Sequence, residues 1–268
     1  IWFISILTMK KNRFYIYGLI LICFAACDKD TIRQSYLALG DSYTIGESVA
    51  ENLRWPVQLV DSLAQKNLFL ETPKIIAQTG WTTDELKNGI DNSSLNYPYD
   101  WVSLLIGVNN QYRGRNIDEF REQFEILLSE AIAYSGNRKE RVFVVSIPDW
   151  GVMPFAEGRD RAQIATEIDN FNQVIYEICA IQEIEFIDIT PLSRAIDIHP
   201  DWVAKDGLHP SGKQYSAWVQ EIIPFFLNSK YELVKVFSCD EVYRKYGSNF
   251  IEVSFEELSK ISNFAAAS

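Results

Sequence analysis

Apolar residues recur along the chain in short unbroken runs. Residues 36–39 form the first, 74–77 a weaker second and 101–106 a third, with 142–147 and 185–189 after it. Runs that do not alternate with polar residues predict strands of a sheet buried on both faces. Between them the period changes. Phe120, Phe124, Leu127, Leu128 and Ala131 fall at helical spacing, with Glu and Arg on the other side. Ile164, Ile168, Phe171, Ile175 and Ile178 repeat the pattern, and Pro210-Ser211 opens a last helix through Tyr215, Trp218 and Ile222 to Phe226. The alternation predicts one α/β domain over residues 33–229, a three-layer α/β/α sandwich around a mainly parallel sheet of five strands. No internal repeat and no Pro/Gly/Ser linker interrupts it.

The two flanks follow different patterns. Lys10, Lys11 and Arg13 precede an uncharged run, residues 14–26, that ends in Ala25-Ala26-Cys27. The run is short for a membrane span, which needs about 20 residues, and fits a secretory signal. The small residues before Cys27 resemble the lipobox of bacterial lipoproteins, although Phe24 stands where Leu is usual. That resemblance implies cleavage before Cys27, lipidation of Cys27, a tether over residues 27–32 and a place in the bacterial cell envelope, anchored to the membrane. A plain anchor helix with an incidental cysteine is the alternative. Residues 1–8 lie upstream of a Met-Lys-Lys start and read as an N-terminal extension. Residues 230–268 carry mixed charge and a small-residue end, and read as an appendage or tail without chemistry.

Charge and composition narrow the function. Lys and Arg number 25 against 36 Asp and Glu, a net charge of −11 over 268 residues. Removing residues 1–26 takes away three basic residues and no acids, leaving about −14. Such a chain is a poor nucleic-acid binder, which requires a basic face. Four cysteines, two histidines and no CxxC or HExxH stretch argue against a metal centre, and no other cofactor motif is present. Pairing of Cys179 with Cys239 stays open. Chemistry that needs an imidazole must use His199 or His209.

Candidate chemistry lies at strand ends, where open α/β sheets place their sites. The first strand runs into Gly40-Asp41-Ser42-Tyr43-Thr44. A serine after a sharp glycine turn is well placed as a nucleophile, although Asp and Ser are also common helix caps. Asp206-Gly207-Leu208-His209-Pro210 sets a carboxylate three residues before a histidine. A serine hydroxyl needs a base, and the base needs an orienter. His199 lacks that spacing. Gly80, after the second strand, lets backbone N–H approach an oxyanion. In Gly107-Val108-Asn109-Asn110 a side-chain amide can donate a second hydrogen bond.

Together the four blocks, GDS, Gly, G-x-N and D-x-x-H in that order over residues 35–228, resemble the SGNH hydrolases, also called GDSL esterases and lipases. The resemblance implies a flavodoxin-like α/β/α fold and cofactor-free ester hydrolysis. It casts Ser42 as nucleophile, His209 as base and Asp206 as its orienter, with Ser42 N–H, Gly80 and Asn109 as oxyanion donors. Asn110 departs from the Asp usual there, which bears on loop geometry. Trp81, Trp150, Tyr43 and Tyr112 are candidates to line the cleft, and Arg113 and Arg115 to meet an anionic substrate. The implied substrate is an acylated or acetylated glycan or lipid. A non-catalytic envelope-binding lipoprotein with the same fold is the competing expectation.

Overall fold

The computed structural model describes residues 33–236. The expected signal segment, Cys27 and its tether, Cys239 and residues 237–268 lie outside them. Five strands, β1 (Tyr36–Gly40), β2 (Lys74–Ala77), β3 (Trp101–Leu105), β4 (Val142–Val145) and β5 (Glu185–Ile187), form one all-parallel sheet in the order β2-β1-β3-β4-β5. The order follows from the strand sequences. β1, β3 and β4 are buried at every position, whereas β2 and β5 expose Lys74 and Glu185 and lie at the edges.

Among the described residues eight helices connect and cover the sheet: α1 (Ser42–Ile45), α2 (Trp55–Ala64), α3 (Thr83–Asp91), α4 (Val108–Tyr112), α5 (Ile117–Tyr134), α6 (Arg161–Gln182), α7 (Thr190–Ser193) and α8 (Gly212–Val236). α2 packs along α8, while α3, α5 and α6 pack in series. Aromatic residues fill both interfaces. Phe143 of β4 lies 6.4 Å from Trp55 of α2 and 5.6 Å from Phe226 of α8, and Trp101 of β3 lies 4.4 Å from Phe226. Phe120 of α5 lies 4.7 Å from Phe171 of α6, on the stripes that the helical spacing marked out. α8 begins at Gly212 and continues to Val236, past residue 229, where the pattern of the sequence changes.

In this strand order the chain leaves β1 toward one edge and β3 toward the other. A crevice therefore opens between their carboxyl ends, the place where such sheets bind ligands. Ser42 follows β1 and Asn109 follows β3, so the topology alone brings these two blocks together.

Candidate active site

β1 passes into α1 without a loop. A Cβ on Gly40 would lie 2.2 Å from Thr44 Oγ1 and 2.4 Å from Leu105 O, so only glycine lets β1, α1 and β3 close here. Asp41 then caps α1, its Oδ1 accepting the Tyr43 N–H at 3.0 Å. Asp41 is fully buried, and its Oδ2 accepts no hydrogen bond among the described residues. Burial pushes its carboxyl up to about 7, against the lowering effect of the Tyr43 and Asp41 N–H groups. Ser42 is the first residue of α1 and is 5% exposed, open only to the cleft.

The second arm comes from the turn before α8. His209 Nδ1 lies 2.6 Å from Asp206 Oδ2, and Asp206 Oδ1 accepts the N–H groups of Leu208 and His209 at 3.0 Å each. Ser48 Oγ donates to Asp206 Oδ2 at 2.6 Å. Partial burial alone would raise the Asp206 carboxyl. The hydrogen bonds from Ser48, His209 and the two backbone amides outweigh it and hold the group well below the usual carboxylate range. With Nδ1 committed to Asp206, the other ring nitrogen is left for the cleft, which Ser42 and His209 both line. Among the described residues no hydrogen bond joins Ser42 Oγ to the ring, as is common before substrate tightens such contacts. His199 is elsewhere, stacked on Trp202 at 4.1 Å, and does not line the cleft.

Gly80 and Asn109 line the same cleft. Gly80, three residues past the end of β2, adopts φ +87, a left-handed conformation that glycine takes without strain. Among the described residues the N–H groups of Ser42 and Gly80 have no protein acceptor. Asn109 Nδ2 donates to Trp81 O at 2.9 Å, which fixes the amide and leaves its second N–H available. Asn110 has a different task. It is 2% exposed, its Oδ1 accepts the Thr83 N–H at 3.1 Å and its Nδ2 donates to Thr83 Oγ1 at 2.7 Å. Asn in place of Asp thus keeps an acceptor on the first turn of α3, and the loop stays tied to that helix.

The cleft has a volume of about 190 Å³. Of the aromatic candidates, Tyr43, Tyr112 and Trp150 line it. Trp81 does not: its ring packs over Gly89, with its Cη2 2.1 Å from where a Cβ would stand, and only its backbone serves the site. Arg113 and Arg115 do not line the cleft. Arg113 pairs with Glu85 at 3.0 Å and donates to Gly80 O, and Arg115 lies 3.7 Å from Glu119. Thr79, Val108, Phe155 and Leu208 complete the lining and were not singled out by the sequence. Val108 and Leu208 lie inside the motif blocks and adjacency marks them. Phe155 arrives through a bond that no local pattern reveals, its N–H donating to Gly207 O at 2.9 Å. Tyr112, Trp150 and Phe155 form one wall, with ring centroids 5.2–6.4 Å apart and the Arg159 guanidinium 5.3–5.5 Å from all three.

The model of the GDSL-like lipase/acylhydrolase family matches residues 38–217. No curated protein sequence matches the chain. Among solved structures, a psychrotrophic esterase from Pseudoalteromonas is 16% identical with a TM-score of 0.56, covering 74% of this chain and 99% of that one. A lipase/acylhydrolase from Enterococcus faecalis is 24% identical with a TM-score of 0.54, over 72% of this chain and 94% of that one. An acetyl-xylooligosaccharide esterase from Geobacillus is 17% identical with a TM-score of 0.55, over 72% and 93%. At these identities the structures speak for the fold.

Proposed function

The chain belongs to the GDSL-like lipase/acylhydrolase family of carboxylic ester hydrolases, the SGNH hydrolases, and we propose that it cleaves short-chain esters through an acyl-enzyme on Ser42. Ser42 Oγ attacks the acyl carbonyl while His209 takes its proton, and Asp206 holds the ring and the charge it gains. The carbonyl oxygen, now negative, receives the N–H groups of Ser42 and Gly80 and the Asn109 amide. Such donors are worth about 2.7–4 kcal/mol each. The tetrahedral intermediate collapses, and the alcohol leaves with the proton from His209. Water, deprotonated by the same ring, then releases the acid and restores Ser42. The observation that carries this reading is the 2.6 Å contact of Asp206 with His209 in a cleft shared with Ser42 and two unpaired N–H groups.

A cleft of about 190 Å³ suits a small acyl group. A larger alcohol moiety has to lie outside, across Tyr112 and Phe155, which are 45% and 42% exposed. Aromatic rings at a rim are good surfaces for the apolar faces of sugars, which favours acetylated glycans over long-chain lipids. The basic start, short apolar run and Ala25-Ala26-Cys27 support an envelope lipoprotein tethered by lipid on Cys27.

The deciding experiment treats purified protein with a serine-reactive fluorophosphonate and assays acetyl and longer acyl esters. Wild type should label and turn over, with acetyl esters preferred, and Ser42→Ala should do neither. A wild-type protein that binds acetylated glycans without labelling or turnover would instead be a binding lipoprotein. In a bacterial host, incorporation of a palmitate analogue that survives Cys27→Ala would remove the anchor.

A further inference from the structure

Asp206 receives four hydrogen bonds, and three of them come from its own turn. The Leu208 and His209 N–H groups and His209 Nδ1 all move with residues 206–209. They fix the shape of the turn but not its place relative to Ser42. The fourth bond, from Ser48 Oγ at 2.6 Å, crosses from the segment that carries the nucleophile. Ser48 follows directly on α1 and the turn at Gly46-Glu47. Its backbone is unusual: φ is +65, the left-handed region that L side chains rarely adopt. A serine held there where glycine would be easier indicates that the side chain is needed. The strain and the cross-segment bond are separate observations on one residue.

We propose that Ser48 is a positioning residue of the hydrolase, a latch that registers the Asp206–His209 turn against Ser42. Its hydroxyl donates to Asp206 Oδ2, the same oxygen that faces His209 Nδ1, so it restrains the carboxylate in the plane that aims the imidazole at the nucleophile. It also disperses the carboxylate charge through a charge-assisted bond. Ser48 touches no reacting atom and acts only through Asp206. The inference rests on the reading of Ser42, Asp206 and His209 as the catalytic set.

The test compares Ser48→Gly, Ser48→Asn, Ser42→Ala and wild type on an activated acetyl ester. Ser48→Gly removes the hydroxyl and relieves the left-handed strain, so the variant should fold with a Tm no lower than wild type. Its kcat should fall roughly tenfold, the effect of one charge-assisted hydrogen bond, with KM little changed. The acid limb of its kcat/KM profile should move to higher pH, because a less neutralised carboxylate holds the proton on the pair more strongly. Asn tolerates the left-handed region and carries a donor, so Ser48→Asn should recover part of the loss. A Ser48→Gly enzyme with wild-type kcat and pH profile overturns the proposal, as does an Asn variant no better than the Gly one. Activity surviving in Ser42→Ala would overturn the catalytic reading itself, whatever Ser48 does.

Discussion

On the Ser42 side of the cleft the chain is placed by packing, and on the His209 side by hydrogen bonds. Gly40 fits against Thr44 and Leu105 with no room for a methyl, and Asp41, Tyr43 and Thr44 are all buried. Two polar side-chain atoms there, Asp41 Oδ2 and Thr44 Oγ1, have no hydrogen-bond partner among the described residues. The Asp206 turn is the reverse, partly exposed, with its carboxylate accepting from Ser48, Leu208 and His209. A packed arm holds a nucleophile still but tolerates no change of volume. A hydrogen-bonded arm tolerates change of volume but depends on each donor. Apart from the nucleophile Ser42 itself, substitutions on the first arm should therefore appear mainly in stability, and on the second mainly in turnover.

The largest effects are expected on the second arm. His209→Ala should lower kcat by about 10⁴–10⁶ and the double variant with Ser42→Ala little further, since such residues act as a unit. Asp206→Asn should cost about 10⁴ through the wrong tautomer. Both variants should stay folded by circular dichroism, with Tm lowered by the lost packing of the His209 ring on Tyr43 and by the weakened bonds to Asp206. His199→Ala, stacked on Trp202 outside the cleft, should stay near wild type. If His199→Ala is as inactive as Ser42→Ala while folded by circular dichroism, the base is misassigned.

The two neighbouring asparagines repeat the contrast within one loop. Asn109→Ala should lower kcat by roughly 10²–10³ at little change in KM or Tm. Asn110→Ala leaves the buried Thr83 N–H without its acceptor, at about 1–3 kcal/mol, while the Thr83 hydroxyl still donates to Gln123, and should lower Tm far more than kcat. The reverse order in kcat would shift the oxyanion donor by one residue. Gly40→Ala tests the packed arm. Its methyl meets Thr44 Oγ1 and a backbone oxygen that cannot rotate away, so about 1–3 kcal/mol or more should be lost in denaturant unfolding. A Gly40→Ala protein as stable as wild type would mean that the β1–α1 junction yields more easily than its contacts indicate.

Much of this arrangement was legible in the sequence, and what was legible was local. The five apolar runs correspond to the five strands, because a sheet buried on both faces needs unbroken apolar segments. Asp206 and His209 could be paired from their spacing, because one tight turn brings both side chains together. Trp81 was misleading. It follows Gly80, yet its ring turns to the small surface at Gly89 on α3, a contact set by helix packing and not by the motif. Phe155 lies on a single 3-10 turn, Pro154–Ala156, without periodicity, and its bond to Gly207 and its packing on Tyr112 and Trp150 carry it to the cleft. Ser48 has the same character: a serine after a short helix predicts nothing until Asp206, distant in sequence, is seen beside it.

The dependence of stability on pH sets the buried carboxyl of one arm against the bonded carboxyl of the other. Burial raises Asp41 to about 7 in the native chain, against about 3.9 for an unfolded aspartate. Between those values the native state binds the extra proton, so stability falls as pH rises and the cost is complete above about pH 7. Asp206 runs the other way. Its carboxyl is depressed by its hydrogen bonds, so its contribution is present above the unfolded value and is lost only as pH falls below about 4. The two windows do not overlap. Asp41→Asn keeps an oxygen that can cap the Tyr43 N–H and removes the titration. Urea unfolding of both proteins from pH 4.5 to 8 should show the wild type losing stability relative to Asp41→Asn as pH rises. The slope should be at most about 1.4 kcal/mol per pH unit and should level off above neutrality. Ionisable groups common to the two proteins cancel in the difference, so a difference flat across that range would mean that Asp41 is ionised throughout and that the packed arm carries a buried charge after all.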